Sequence, residues 1–346
     1  MFKIPIHPIT PDEWNFTPAA AIIKAKTIII DEISMCRFDV FNYVINTINE
    51  AEDRSEPKKI IVVGDFFQLS PVITPKDLNI LANYWPDDHL ADGFAFHTEA
   101  WKYCKFKTVF LREIVRQDAE EFQQNLNRIR IGDVSSIPWF NFNCSKVKQD
   151  NAIYLCGTNA KAAQVNETEA AKLDTPIHIF TATIDGQVNE SDKVTEEVLA
   201  LKVGMQVMTL VNDPSGGYQN GTLGTIISIG DDWVRIRKQN NSEVTVTNYE
   251  WEVYSYKVND KKELEKVVIG TYKQIPLKIA YAVTIHKSQG QTYEKANIDP
   301  QCFATGQLYV ALSRVKNINN MFLTQPIRPY FLKAAPEVIK FYQDYI

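Results

Sequence analysis

Thr27-Ile28-Ile29-Ile30-Asp31-Glu32 decides the fold: a β-favouring run with no polar alternation leads straight into two carboxylates. Further along, Ile60-Ile61-Val62-Val63 ends in Gly64-Asp65 in the same manner. Short β-branched runs of this kind read as strands buried on both faces, as in a parallel sheet. Between them Phe41, Val44, Ile45 and Ile48 recur at helical spacing, so the unit reads strand–helix–strand. The acidic residues then stand at the carboxyl ends of neighbouring parallel strands, the edge where open α/β sheets bind ligands. Either carboxylate alone reads as a strand end or a helix cap.

Outward from this unit, Phe122, Leu126 and Ile129 form the stripe of a helix over residues 118–130. Asp118 and Glu121 are its capping pair and Gly132 its stop. A second α/β region starts at Ile153-Tyr154-Leu155, resumes at Ile279-Ala280-Tyr281-Ala282-Val283 and closes with Met321-Phe322-Leu323. Between its halves the period changes. Met205, Val207, Thr209 and Val211 alternate with their neighbours, and Val234 and Ile236 alternate with Arg235 and Arg237. Short alternating strands separated by turn residues predict a small β-barrel inserted into the second domain.

The 346 residues, 45% hydrophobic and 23% charged, have the length of two domains and the profile of a soluble globular protein. No apolar run approaches a membrane span, and the start MFKIPIHPIT has no signal-peptide core. The five cysteines form no C-x-x-C pair, so they read as small buried residues of a reducing compartment. A net charge of −5 argues mildly against nucleic acid, but it leaves room for a locally basic groove. The expected setting is the cytoplasm, on the nucleoid in a bacterial or phage context.

An apolar strand ending in Asp-Glu is the Walker B pattern, in which one carboxylate holds Mg²⁺ and the next orients the attacking water. The remaining motifs carry a resemblance. IIIDEISM (28–35) and VVGDFFQLSPV (62–72) resemble motifs II and III of superfamily-one DNA helicases, in particular the petite-integration-frequency (PIF) branch related to the RecD subunit. LREIVRQ (111–117), CGTNAKAAQVN (156–166), TIHKSQGQT (284–292) and QLYVALSRVK (307–316) follow in that family's order. The resemblance runs over residues 1–327.

It implies an α/β chain of two RecA-like P-loop NTPase-type domains with a small Src-homology-3-like barrel. The first domain is residues 1–108, the second is 109–202 with 276–346, and the barrel is 203–275. It also implies roles for single residues. Asp31 would bind Mg²⁺–ATP, Glu32 would activate water, and Gln68 would sense the γ-phosphate. Arg116 and Arg314 would reach the phosphates as arginine fingers. Asp65 would border the nucleotide or hold its own loop, and Gly290 would border the nucleotide. Thr284, His286, Ser288 and Gln289, with Thr158 and Asn159, would meet single-stranded or forked DNA through phosphate contacts. His286 reads equally well as a helix-start residue bonded to the backbone. Phe66, Phe67, Phe96 and Trp101 are candidates for stacking on bases. Arg235, Arg237 and Lys238 could touch phosphate, although a solvated face is the simpler reading.

One departure stands out. The sequence contains no G-x-x-x-x-G-K-[ST] loop, the element that cradles the β- and γ-phosphates. The surviving Asp31, Glu32, Gln68, Arg116 and Arg314 favour an incomplete motor over a degenerate one. Such a motor is a truncated product, or one half of a split helicase completed by a second polypeptide. Weak ATP binding and inactivity alone are expected. The alternative is a non-catalytic module that binds single-stranded DNA or an assembly partner.

Overall fold

The computed structural model describes residues 2, 4, 7–14, 18–51, 57–85, 93–111, 113–117, 119–258 and 264–343. After α1 (Ala20–Lys24), the strand–helix–strand unit forms as β1 (Thr27–Ile30), α2 (Phe38–Glu50) and β2 (Lys59–Val62). The strands are parallel, with Ile28 opposite Ile60 and Ile30 opposite Val62. Phe41, Ile45 and Ile48 of α2 are essentially fully buried, each worth about 2 kcal/mol of burial. The expectation of two buried faces fails. Ile28 is buried, but Ile29 is 64% exposed and Val63 47%, because the core covers one face of the sheet only. Among the described residues the outer edges of β1 and β2 also lack strand partners.

α3 (Pro75–Leu81) starts at a capping box between Thr74 and Asp77, and α4 (Glu99–Cys104) is capped by Thr98. α5 (Glu120–Arg130) buries the predicted Phe122, Leu126 and Ile129, and Gly132 follows it with φ +83°. Asp118 lies outside the described residues; Ala119 stands at the N-cap and makes no side-chain cap bond. α6 (Ile137–Asn143), β3 (Ile153–Cys156) and α7 (Asn159–Ala171) come next.

The chain then turns antiparallel: β4 (Ile177–Thr181), β5 (Thr183–Gly186), β6 (Val198–Lys202), β7 (Gln206–Thr209), β8 (Leu223–Ile229), β9 (Trp233–Lys238) and β10 (Glu243–Thr247). β11 (Tyr249–Val258) and β12 (Leu264–Gln274) form a long hairpin that touches α1, and β13 (Leu277–Ile279) returns to β7. One ladder runs β10-β9-β8-β7-β13. Its inward residues Val207, Ile226, Val234, Ile236 and Val246 share a core with Phe180, Leu199 and Leu201 of the β4–β6 pair. Arg235 and Arg237 point outward, as their alternation predicts. Arg237 pairs with Glu243 at 2.9 Å, and Lys238 donates to the Gly217 carbonyl.

β14 (Ala282–Thr284), β15 (Ala296–Ile298), α8 (Gln307–Leu312) and β16 (Met321–Leu323) rebuild a parallel sheet in the order β14-β3-β15-β16. Its core holds Ile153, Leu155, Ile298 and Met321 together with the buried stripe of α5. The last helix, α9 (Pro336–Gln343), packs into the first core through Val338, with Ala335 just before it. Phe341 stacks on Phe96 at 4.4 Å and Tyr342 on Phe67 at 4.9 Å. Phe66, Phe67, Phe96 and Trp101 are all buried in this aromatic cluster. They are core residues, and base stacking is not open to them in this arrangement.

Candidate active site between the two sheets

The carboxyl ends of the two parallel sheets face each other. On the first, Asp31 ends β1 exposed, and its Oδ1 accepts the Glu32 N–H at 2.8 Å. Glu32 sits in the left-handed region at φ 51°, ψ 47°. That conformation costs a β-substituted residue about 1 kcal/mol or more and marks a turn fixed by its surroundings. The next N–H, of Ile33, donates to the Val63 carbonyl at 3.0 Å, which pins the turn to the end of β2.

Beyond β2, Asp65 organises the following loop. Its Oδ1 accepts the Phe67 N–H at 3.1 Å, and its carbonyl accepts the Gln68 N–H at 2.9 Å. Both carboxylate oxygens also take hydrogen bonds from Arg130. Asp65 therefore holds its loop.

On the second sheet, Thr284 lies in register with Cys156, and the Ile285 N–H donates to the Cys156 carbonyl. This pairing sets 157–159 beside 285–290. Thr158 caps α7 by accepting the Lys161 N–H, and both Thr158 and Asn159 are exposed. Thr284 and Ser288 are buried. The Thr284 hydroxyl oxygen accepts the Lys287 N–H, and the Ser288 hydroxyl donates to the Ile285 carbonyl. These two hold the loop from inside. His286 opens the short 3-10 turn His286–Ser288 and is half-buried; burial lowers its pKa, so the neutral ring is favoured. Gly290 is exposed at φ +75°, beside a groove of about 550 Å³ that also contacts Gly216, Asn220 and Lys238.

The two edges meet at Gln289, whose Nε2 donates to Glu32 Oε2 at 2.7 Å. Next to it, Arg314 is 2% exposed. Its guanidinium donates to the carbonyls of Val310, Ser288 and Gln291 and to the Ser313 hydroxyl. Burial and the neighbouring Arg116 charge pull its pKa down to about 10, with Glu32 among the groups acting the other way. It remains a cation at neutral pH. Half-buried Arg116 donates to the Ser313 carbonyl at 3.3 Å, and its own pKa is lowered by burial. Two guanidinium groups and a glutamate thus share one seam. The sequence reading missed Arg130, a helix-end arginine with no motif around it.

The PIF1-like helicase family model matches residues 2–138. An ATP-dependent DNA helicase Pif1 of Campylobacter jejuni is 31% identical over 350 residues, covering 92% of this chain and 75% of that protein. The chain belongs to the PIF1-like helicase family. A Bacteroides sp. Pif1 in complex with ADP-AlF4 superposes with a TM-score of 0.85 at 30% identity, over 99% of this chain and 82% of the other. The Bacteroides Pif1 bound to single-stranded DNA matches at the same identity and coverage with a TM-score of 0.69. The family's two-sheet helicase fold accounts for the mixed α/β architecture. Among the described residues no helix is long and apolar enough to cross a membrane.

Proposed function

We propose that this chain is the core of an ATP-dependent DNA helicase, with nucleotide bound at the seam where Glu32, Gln289, Arg314 and Arg116 converge. The observation that carries it is the Glu32–Gln289 hydrogen bond, which joins the Walker B turn to the second sheet within reach of two arginines. Glu32 orients and deprotonates the attacking water, and Gln68 reports the γ-phosphate through its amide. Arg314 and Arg116 stabilise the charge that builds on the transferred group. Asp31 keeps one carboxylate oxygen for a metal. A single carboxylate suits Mg²⁺, which is commonly held by one or two carboxylates plus substrate phosphates and water. When bound, the ion supplies charge neutralisation on the phosphate oxygens.

Single-stranded DNA lies against Thr158, Asn159 and His286, the accessible members of the predicted set, and phosphate oxygens meet the exposed first turn of α7. Unwinding of forked duplexes in the 5′ to 3′ direction is the activity the family resemblance supports. The antiparallel unit around β7–β10 serves as its Src-homology-3-like accessory barrel.

The cradle for the β-phosphate is not encoded in these residues, and the apolar face at Ile29 and Val63 is open. We assign both gaps to one piece that these residues do not include, a strand carrying the phosphate loop. The test is DNA-stimulated phosphate release. The chain alone should show negligible turnover. A fragment bearing the loop should restore it, and Glu32→Gln should abolish the restored rate. Turnover by the chain alone that disappears with Glu32→Gln would overturn that assignment. Salt-dependent binding to single strands that neither ATP nor the fragment alters would favour a non-catalytic DNA-binding module.

A further inference from the structure

Arg130 ends α5 outside every motif, yet it holds the loop that carries Gln68. Its Nη2 donates to Asp65 Oδ1 at 2.9 Å and its Nε to Asp65 Oδ2 at 3.2 Å, the two-point geometry that suits guanidinium and carboxylate. The same guanidinium lies 4.2 Å above the Phe67 ring and 5.8 Å from that of Tyr342. Tyr342 stacks on Phe67, and its hydroxyl oxygen accepts the Phe66 N–H at 3.2 Å. On the other side Gly306, just before α8, approaches so closely that a Cβ there would lie 2.0 Å from the Gln68 carbonyl oxygen. The loop is gripped by the end of α5, the start of α8 and α9. α8 leads directly to Arg314.

We infer that Arg130 is a positioning residue, acting through Asp65 to set Gln68 and to pass any shift of that loop to the second sheet. Asp65 links the two because the carboxylate that binds Arg130 belongs to the residue whose carbonyl accepts the Gln68 N–H. Burial opposes the charge on Arg130, and the Asp65 carboxylate more than offsets it, so the guanidinium stays charged. The grip itself rests on this geometry alone. Its role in sensing a phosphate rests on the nucleotide site proposed above.

Hydrogen exchange on the full chain tests the grip without any ligand. In Arg130→Gln, amides over 64–69 should exchange about tenfold faster or more, with α5 and β3 unchanged. Arg130→Lys, which keeps charge but not the two-point bond, should fall between. Asp65→Asn should match Arg130→Gln, and the double variant should add nothing further. Unchanged exchange over 64–69, or loss of protection spreading through α5 and β3, overturns the inference. A second arm measures single-strand affinity with and without a non-hydrolysable ATP analogue, the loop-bearing fragment being present in both. A wild-type chain that ignores the analogue removes the nucleotide reading, while the exchange result still decides the grip. If the wild type responds, Arg130→Gln should lose that response, and retention would overturn the relay to the second sheet.

Discussion

Glu32 and Gln289 lie 257 positions apart in sequence and meet at 2.7 Å, a contact that ties the turn after β1 to the opposite sheet. A carboxylate accepting from a primary amide tolerates no second carboxylate in its place. Gln289→Glu should therefore push the two edges apart, whereas Gln289→Ala only removes the bond. Loss of a hydrogen bond to a charged group costs about 1.5–3 kcal/mol when buried, and less at this half-buried site. The Ala variant should melt roughly 2–3 °C lower. The Glu variant should melt lower still and scatter X-rays as a more open particle. Equal melting points and radii for all three proteins would show that the contact does not hold the seam.

Arg314 has a structural duty separate from the finger role proposed for it. In this arrangement its N–H groups satisfy three backbone carbonyls and the Ser313 hydroxyl from a nearly solvent-free site. Arg314→Ala strands those acceptors, each costing about 1–3 kcal/mol. The variant should lose several degrees of thermal stability before any catalytic effect is considered. Arg116 makes a single 3.3 Å bond to the Ser313 carbonyl and is less buried, so Arg116→Ala should leave the melt within about 2 °C. Calorimetry on the pair settles it: equal losses would contradict the different bonding.

The central unit could be read from sequence because its signals are local. A β-branched run, a helical stripe and a second run fix β1, α2 and β2, and a parallel pairing puts Asp31 and Asp65 on one edge whatever lies elsewhere. α5 was equally readable, since Phe122, Leu126 and Ile129 repeat with its period. The fate of Phe66, Phe67 and Trp101 was not readable. An aromatic run after a strand looks the same whether it meets bases or a helix, and the helix that buries it arrives from 335–342. The exposed face at Ile29 was hidden for a related reason, because a residue pattern shows that a strand can be covered and not what covers it. Arg130 belongs to the same class: its meaning lies in Asp65 and Phe67, distant in the chain.

His286 supplies a pH signature. Its pKa in the folded chain is lowered by burial from the ordinary 6.5, so between those two values the unfolded chain takes up a proton that the folded chain refuses. Stability from this group is then present above about pH 6.5 and declines as the pH falls below it. His286→Gln should flatten that part of the stability–pH curve, measured by urea denaturation between pH 5 and 8. A parallel curve for the variant would mean that another group sets the slope.

The two Bacteroides comparisons share identity and coverage, yet the score is 0.85 with ADP-AlF4 and 0.69 with single-stranded DNA. Sequence divergence cannot separate them, so the difference lies in how the parts are arranged. The chain described here has the first arrangement, in which the β11–β12 hairpin rests against α1. That contact joins the antiparallel unit to the first sheet through a short helix, α1. Adding an oligothymidine should therefore speed hydrogen exchange over 20–24 several-fold while α7 gains protection at its first turn. The effect should fade with added salt, since phosphate contacts release counterions. Slower exchange over 20–24 on binding DNA would place the moving joint elsewhere.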